Sequence, residues 1–306
     1  MYTRVLVPLD GSKLAERVLP YARFLAGRFK IPVELLAAVD IAELGTHIAV
    51  GQSRFLSTLA EDSMQSSETY LKRIAPTFDG TEVKRTVDKG RAAEIIIDKG
   101  AADTGMLIAM ATHGRSGVNR WLMGSIAEKV LRATANPLLL IRATDNARLE
   151  GEAPLKSIIV PLDGSGLAEG VLPLVAEMAN KLDLAVVLFR GYSAPYSVYG
   201  YGYGYYAIDV EKITAEMRND ADGYLEKKAA EIKKLGVAKI FCVSKEGISA
   251  DEIIKVAREA PASLITMCSH GRSGVLRWAL GSVTETVVRH ADNPVLVLRP
   301  AVAGDG

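Results

Sequence analysis

Two stretches of the chain set glycine, serine and arginine where a phosphate could be held. The first runs from Ala111 through His113, Gly114, Arg115 and Arg120 to Gly124 and Ser125. The second runs from Cys268 through His270, Gly271, Arg272 and Arg277 to Gly281 and Ser282. In each, a buried-strand pattern leads into a glycine-containing loop, and the loop leads into a run with helical spacing. A helix start offers free backbone N–H groups and the positive end of its dipole to an anion. Glycine lets the backbone approach closely, and Ser125 or Ser282 adds a hydroxyl. The plainer alternative is a conformational loop with serine as an ordinary N-cap. The arginines could meet phosphate charge or lie in a solvated loop beside carboxylates.

Asp10 and Asp163 are the carboxylates that fall beside these loops. Each could hold sugar hydroxyls, or phosphates through a divalent metal. Each could equally cap its own turn. His113 and His270 resemble catalytic bases only at first sight. No nucleophile, base and orienting group stand at recognisable spacing, so a structural histidine bonding the loop backbone is expected and no catalytic residue is assigned. No cysteine–histidine cluster suggests a zinc site, so no metal is expected on protein ligands alone.

The elements that must position these residues occur twice. Val7-Pro-Leu-Asp-Gly-Ser12 returns as Val160-Pro-Leu-Asp-Gly-Ser165, His113-Gly-Arg-Ser-Gly117 as His270-Gly-Arg-Ser-Gly274, and Asn136-Pro137 as Asn293-Pro294. The repeat is domain-sized. In the first copy, strands are expected at 4–9, 33–39, 82–87, 106–111 and 138–141. Helices are expected after Ser12, where Pro20 would introduce a kink, and over 57–74, 92–101 and 125–134. The last of these would bury Ile126, Val130 and Leu131. Strand–helix alternation implies a doubly wound parallel sheet in each copy, which binds ligands at strand C-ends. Asp10, Val39 and Ala111 to Gly114 fall there. The polar join, 143–156, separates a domain at 1–145 from one at 155–301.

Composition narrows the function classes. The chain has 306 residues, 49% hydrophobic and 24% charged, with net charge +1. That balance argues against nucleic-acid or anionic-membrane binding. No apolar run reaches membrane-spanning length, and the N-terminus lacks a signal-peptide layout, so a cytoplasmic protein is expected. Cys242 and Cys268 suggest two reduced, buried thiols rather than a disulfide framework.

With these residues in place, the chain resembles a tandem universal stress protein over nearly all of both halves. Nucleotide-binding members carry Gly-x2-Gly-x9-Gly-Ser/Thr after the fourth strand. Here the pattern reads Ala111-x2-Gly114-x9-Gly124-Ser125 and Cys268-x2-Gly271-x9-Gly281-Ser282. The resemblance implies two five-stranded α/β domains, adenine-nucleotide alpha-hydrolase-like and Rossmann-like, paired as an intramolecular pseudo-dimer through Leu138–Ile141 and Val295–Leu298. Trp121 and Trp278 would pack beside that pairing or in ordinary core. A further homodimer is open.

The resemblance also implies an ATP site on Pro8, Asp10, Val39, Met110, Ala111, His113, Gly114, Gly124, Ser125 and Ile126, with Mg²⁺ or Mn²⁺ bridging the phosphates. The second copy would use Asp163, Met267, Cys268, Gly271, Gly281, Ser282 and Val283. Both copies depart from the family at the first glycine, by a methyl at Ala111 and by a thiol at Cys268 that could close the site. The base contact at Val39 is matched to Arg190. These differences favour the first copy. The implied role is an ATP-binding regulatory or protective stress-response module. The alternatives are a nucleotide-independent interaction protein, reaching an unknown partner through the tyrosine-rich run 192–206, or a slow ATP hydrolase.

Overall fold

The computed structural model describes residues 2–42, 53–113, 123–142, 151–153, 155–193, 210–269 and 280–299. It divides into two compact units, Met1–Pro154 with Leu296–Arg299, and Leu155–Val295. The loop residues Gly114, Arg115, Arg120 and Trp121, their counterparts His270, Gly271, Arg272, Arg277 and Trp278, and the tyrosines from Tyr196 to Tyr206 lie outside the described residues.

The first unit alternates strands and helices: β1 (Val5–Pro8), α1 (Leu19–Phe29), β2 (Val33–Val39), α2 (Ser53–Ile74), β3 (Val83–Lys89), α3 (Ala92–Ala102), β4 (Leu107–Ala111), α4 (Ser125–Ala133) and β5 (Leu138–Ile141). The strands lie in the order β3-β2-β1-β4-β5, with every pairing parallel. Every residue of β4 and β5 is buried. This is the continuous apolar reading of strands covered on both faces. β3 stands at the edge with a half-exposed pattern, as its alternating polarity predicts.

The second unit repeats the plan: β6 (Ser157–Pro161), a single turn α5 (Gly166–Glu169), α6 (Leu172–Leu182), β7 (Ala185–Tyr192), α7 (Val210–Lys234), β8 (Ile240–Glu246), α8 (Ser249–Glu259), β9 (Ser263–Cys268) and α9 (Ser282–His290). Its strands run β8-β7-β6-β9, again in parallel pairs. The last strand, β10 (Val295–Leu298), is cut by the division, since Leu296–Arg299 group with the first unit.

Several local expectations are corrected. Pro20 does not kink a helix: a 3₁₀ turn, Ala15–Val18, precedes it, and Pro20 sits at the start of α1. There its missing N–H costs nothing. Ile126 is 42% exposed, while Ala127, Val130 and Leu131 form the buried face of α4. Cys242 is exposed on the edge strand β8, and only Cys268 is buried.

The Asn-Pro signature has a structural meaning. Asn136 Nδ2 donates to the carbonyls of Asp103 and Met106 at 2.8 and 3.2 Å. Asn293 Nδ2 does the same to Ala260 and Ser263. Each asparagine satisfies carbonyls of the turn that starts the fourth strand of its copy. It thereby fixes where that strand, and the loop after it, emerge.

Candidate functional site

The strand C-ends of each unit collect the residues singled out above. Pro8, Val39 and Ala111 end β1, β2 and β4. Asp10 follows β1, Met110 lies one residue inside the end of β4, and His113 two residues beyond it. Gly124 is the extended N-cap residue of α4, with φ −62° and ψ 146°. Its N–H donates to the Thr112 carbonyl at 2.8 Å, so the helix start is tied to the end of β4. A Cβ at Gly124 would lie 3.1 Å from that oxygen. The second unit reproduces the tie, with Gly281 N–H donating to the Ser269 carbonyl at 2.8 Å. Ser125, Ile126, Ser282 and Val283 are exposed at the first turns of α4 and α9, where helix N–H groups lack intrahelical partners. The second tie has an extra bond: Thr284 Oγ1 donates to the Cys268 carbonyl at 2.9 Å, where the first copy has Ala127.

The aspartates make the turn that the plainer reading requires. Asp10 Oδ1 accepts from Ser12 N–H at 2.9 Å and from Ser12 Oγ–H at 2.6 Å. Ser12 Oγ in turn accepts from Ala15 N–H at 3.1 Å. Asp163, Ser165 and Ala168 copy this arrangement at 2.9, 2.6 and 3.2 Å. Each carboxylate is therefore held rigidly at the mouth of its site. His113 Nδ1 lies 3.0 Å from Thr112 Oγ1; the loop backbone expected to bond this histidine lies outside the described residues.

The second unit carries a cavity of about 500 Å³ at these strand ends. Its wall includes Asp163, Met267, Cys268, Gly281, Ser282 and Val283. Cys268 is among the residues that line this space. The cavity extends past β6 to Arg190 and Tyr192 on β7 and to Met217 and Asp220 on α7. The register also corrects the match of Val39 to Arg190. Pro8 pairs with Leu36 and Pro161 with Phe189, so Arg190 stands where the first unit has Ala37, and Tyr192 where it has Val39.

A network outside the loop motif supports this wall. The Arg190 guanidinium lies over the Tyr224 ring, 4.4 Å from its centroid. Tyr224 Oη donates to Glu169 at 2.9 Å, and the buried Lys228 holds the same carboxylate at 2.8 Å. Burial raises the Tyr224 phenol above its ordinary value, and its bond to Glu169 adds to the shift. Burial alone would raise the Glu169 carboxyl, but the Lys228 and Tyr224 bonds hold it below the usual range. The first unit has the related set Glu16, Tyr70 and Arg73, with Arg73 3.1 Å from Glu16. The repeated glutamate and tyrosine were available in the sequence as a signal and lay outside the motif that drew attention.

A second cavity, of about 560 Å³, lies in the first unit beside α1 and the end of α2. Among its charged groups, Lys13 and Arg73 hold Glu16, and Arg23 donates to the Gly151 carbonyl and to Thr77.

Comparison with known proteins places this architecture. The model of the universal stress protein family matches residues 1–142 and again 154–299. A universal stress protein of Mycolicibacterium smegmatis is 22% identical over 306 residues, covering 97% of each chain. One from Methanocaldococcus jannaschii is 26% identical over 142 residues, 46% of this chain and 83% of its own. The crystal structure of a universal stress protein from Archaeoglobus fulgidus shares the fold, with TM-score 0.68 and 19% identity over 98% of this chain and all of that one.

Proposed function

The chain belongs to the universal stress protein family, and on that premise we propose that it is an ATP-binding, non-enzymatic regulatory module of the cytoplasmic stress response. The observation that carries the reading is the pair of anchored helix starts. In each unit a glycine N–H is tied at 2.8 Å to the residue after the fourth strand of its copy, and a serine opens the helix beyond it. This presents unpaired N–H groups and a positive dipole to an anion beside a carboxylate suited to ribose hydroxyls.

ATP would place its phosphates over Gly124 and Ser125, its ribose by Asp10 and Ala111, and its base toward Val39 and Met110. Gly114 would join the phosphate loop. The second unit would use Asp163, Gly281 and Ser282 in the same way. Mg²⁺ or Mn²⁺ would enter with the phosphates and offset their charge. Nucleotide occupancy would then bias how the protein meets a protein partner. The close approach of Gly124 to the Thr112 carbonyl supports the fit, because a side chain there would push the helix start off its anchor.

Equilibrium dialysis of ATP against the purified chain tests the proposal. Binding should be measurable below millimolar ATP, and it should weaken in Gly124→Val with Gly281→Val. Absence of binding at millimolar ATP, or identical binding by the double variant, overturns it.

A further inference from the structure

We infer that the pocket of the second unit reads a guanine base, with Arg190 as the residue that selects it. The inference rests on the nucleotide reading above and gives the second unit a different base from the first. Its starting point is the register: two residues before the strand end that would meet the base, the first unit has Ala37 and the second has Arg190, which lines the cavity with Tyr192.

That guanidinium is fixed and available. It lies over the Tyr224 ring at 4.4 Å, and the ring is fixed by its hydroxyl bond to Glu169. Stacking takes up the face of a guanidinium and leaves its donors in the plane at its edge. Among the described residues no carboxylate lies within ion-pair distance of Arg190, although it lines the cavity. Asp220 lines the same cavity and stands one helical turn before Tyr224 on α7, hence on the same face. The pocket therefore offers a donor fork and an acceptor at the same end.

The distance to the phosphate end suits a nucleotide. Ser282 opens α9 beyond β9, and Arg190 is on β7, with β6 between them. Two strand spacings are roughly 10 Å. Guanine presents two acceptors, O6 and N7, to one arginine fork, and its N1–H and N2–H₂ donate to a carboxylate. Adenine places an amino donor where O6 would be, so the same fork meets a donor instead of an acceptor. A site that hydrogen-bonds its base discriminates against one that leaves those donors unpaired.

Cys268 supplies a site-specific readout, because it is among the residues that line this cavity. In the full chain carrying Cys242→Ser, which removes the exposed thiol, N-ethylmaleimide labelling of Cys268 is followed against GTP and against ATP. Half-protection by GTP is expected at a concentration about tenfold or more below that for ATP. Arg190→Ala should bring the two within about twofold while phosphate-driven protection persists, and Asp220→Asn should narrow the gap. An unchanged labelling rate without nucleotide shows that each variant keeps the pocket. Equal protection by ATP and GTP, or a preference that survives Arg190→Ala, overturns the guanine assignment and leaves the nucleotide reading standing. Absence of protection and of binding by either nucleotide overturns both.

Discussion

Replacing Asp10 and Asp163 separates the two jobs their geometry allows. In each unit one carboxylate oxygen accepts a backbone N–H at 2.9 Å and a serine hydroxyl at 2.6 Å. Bonds to a charged acceptor are worth about 1.5–3 kcal/mol when buried. These aspartates are half-buried, so about 1 kcal/mol each is a fair discount. Asp10→Ala should therefore cost about 2 kcal/mol, at the upper end of what deleting a cap removes. Asp10→Asn keeps an oxygen in place and loses only the charge. Since charge-assisted bonds are about twice as strong as neutral ones, it should cost about 1 kcal/mol. Urea unfolding reads both values.

The binding prediction is different in kind. If the carboxylates also hold ribose, Asp10→Asn with Asp163→Asn should weaken ATP by about tenfold or more despite the intact turns. Equilibrium dialysis measures it. ATP affinity within about twofold of wild type in a folded double Asn variant would refute the ligand role and leave the aspartates as turn caps.

Asn136→Ala strips two carbonyls of their donor, Asp103 and Met106, and should lower unfolding stability by about 3 kcal/mol. A loss under about 1 kcal/mol in urea melts would show that the turn re-pairs elsewhere. Glu34 is buried and bonded to Lys99 at 3.0 Å and Thr86 at 2.9 Å. Burial would raise its carboxyl, but these partners hold it below the ordinary 4.5. A depressed folded value stabilises above 4.5 and loses that stability as pH falls through it. Glu34→Gln should therefore cost about 3 kcal/mol at neutral pH and flatten the acid limb of the stability curve; an unchanged acid limb counts against the pairing. Lys30 ends α1 in the left-handed region at φ 55°, so Lys30→Gly should raise stability by about 0.5–1 kcal/mol in the same melts.

Much of this molecule was legible in its residues because the relevant signals are local and doubled. Short apolar runs between turn signals, such as Leu107–Ala111, read as buried strands, and the recurrence of Asp10, Gly124 and Asn136 fixes the two-copy plan. What escaped depended on long-range packing. The exposure of Ile126 reflects the opening of the helix start to solvent, which the helical period alone does not encode. The match of Val39 to Arg190 is two residues out of step: the offset that joins Pro8 to Pro161 and Leu36 to Phe189 joins Val39 to Tyr192. The stack of Arg190 on Tyr224 joins residues 34 positions apart, and no motif links them.

Native mass spectrometry of the purified chain, titrated with ATP and Mg²⁺, tests the central claim most directly. The proposal predicts discrete ATP adducts on the folded chain that disappear in Gly124→Val with Gly281→Val. A folded chain that carries no adduct at millimolar ATP, or whose adducts are indifferent to both substitutions, would contradict it.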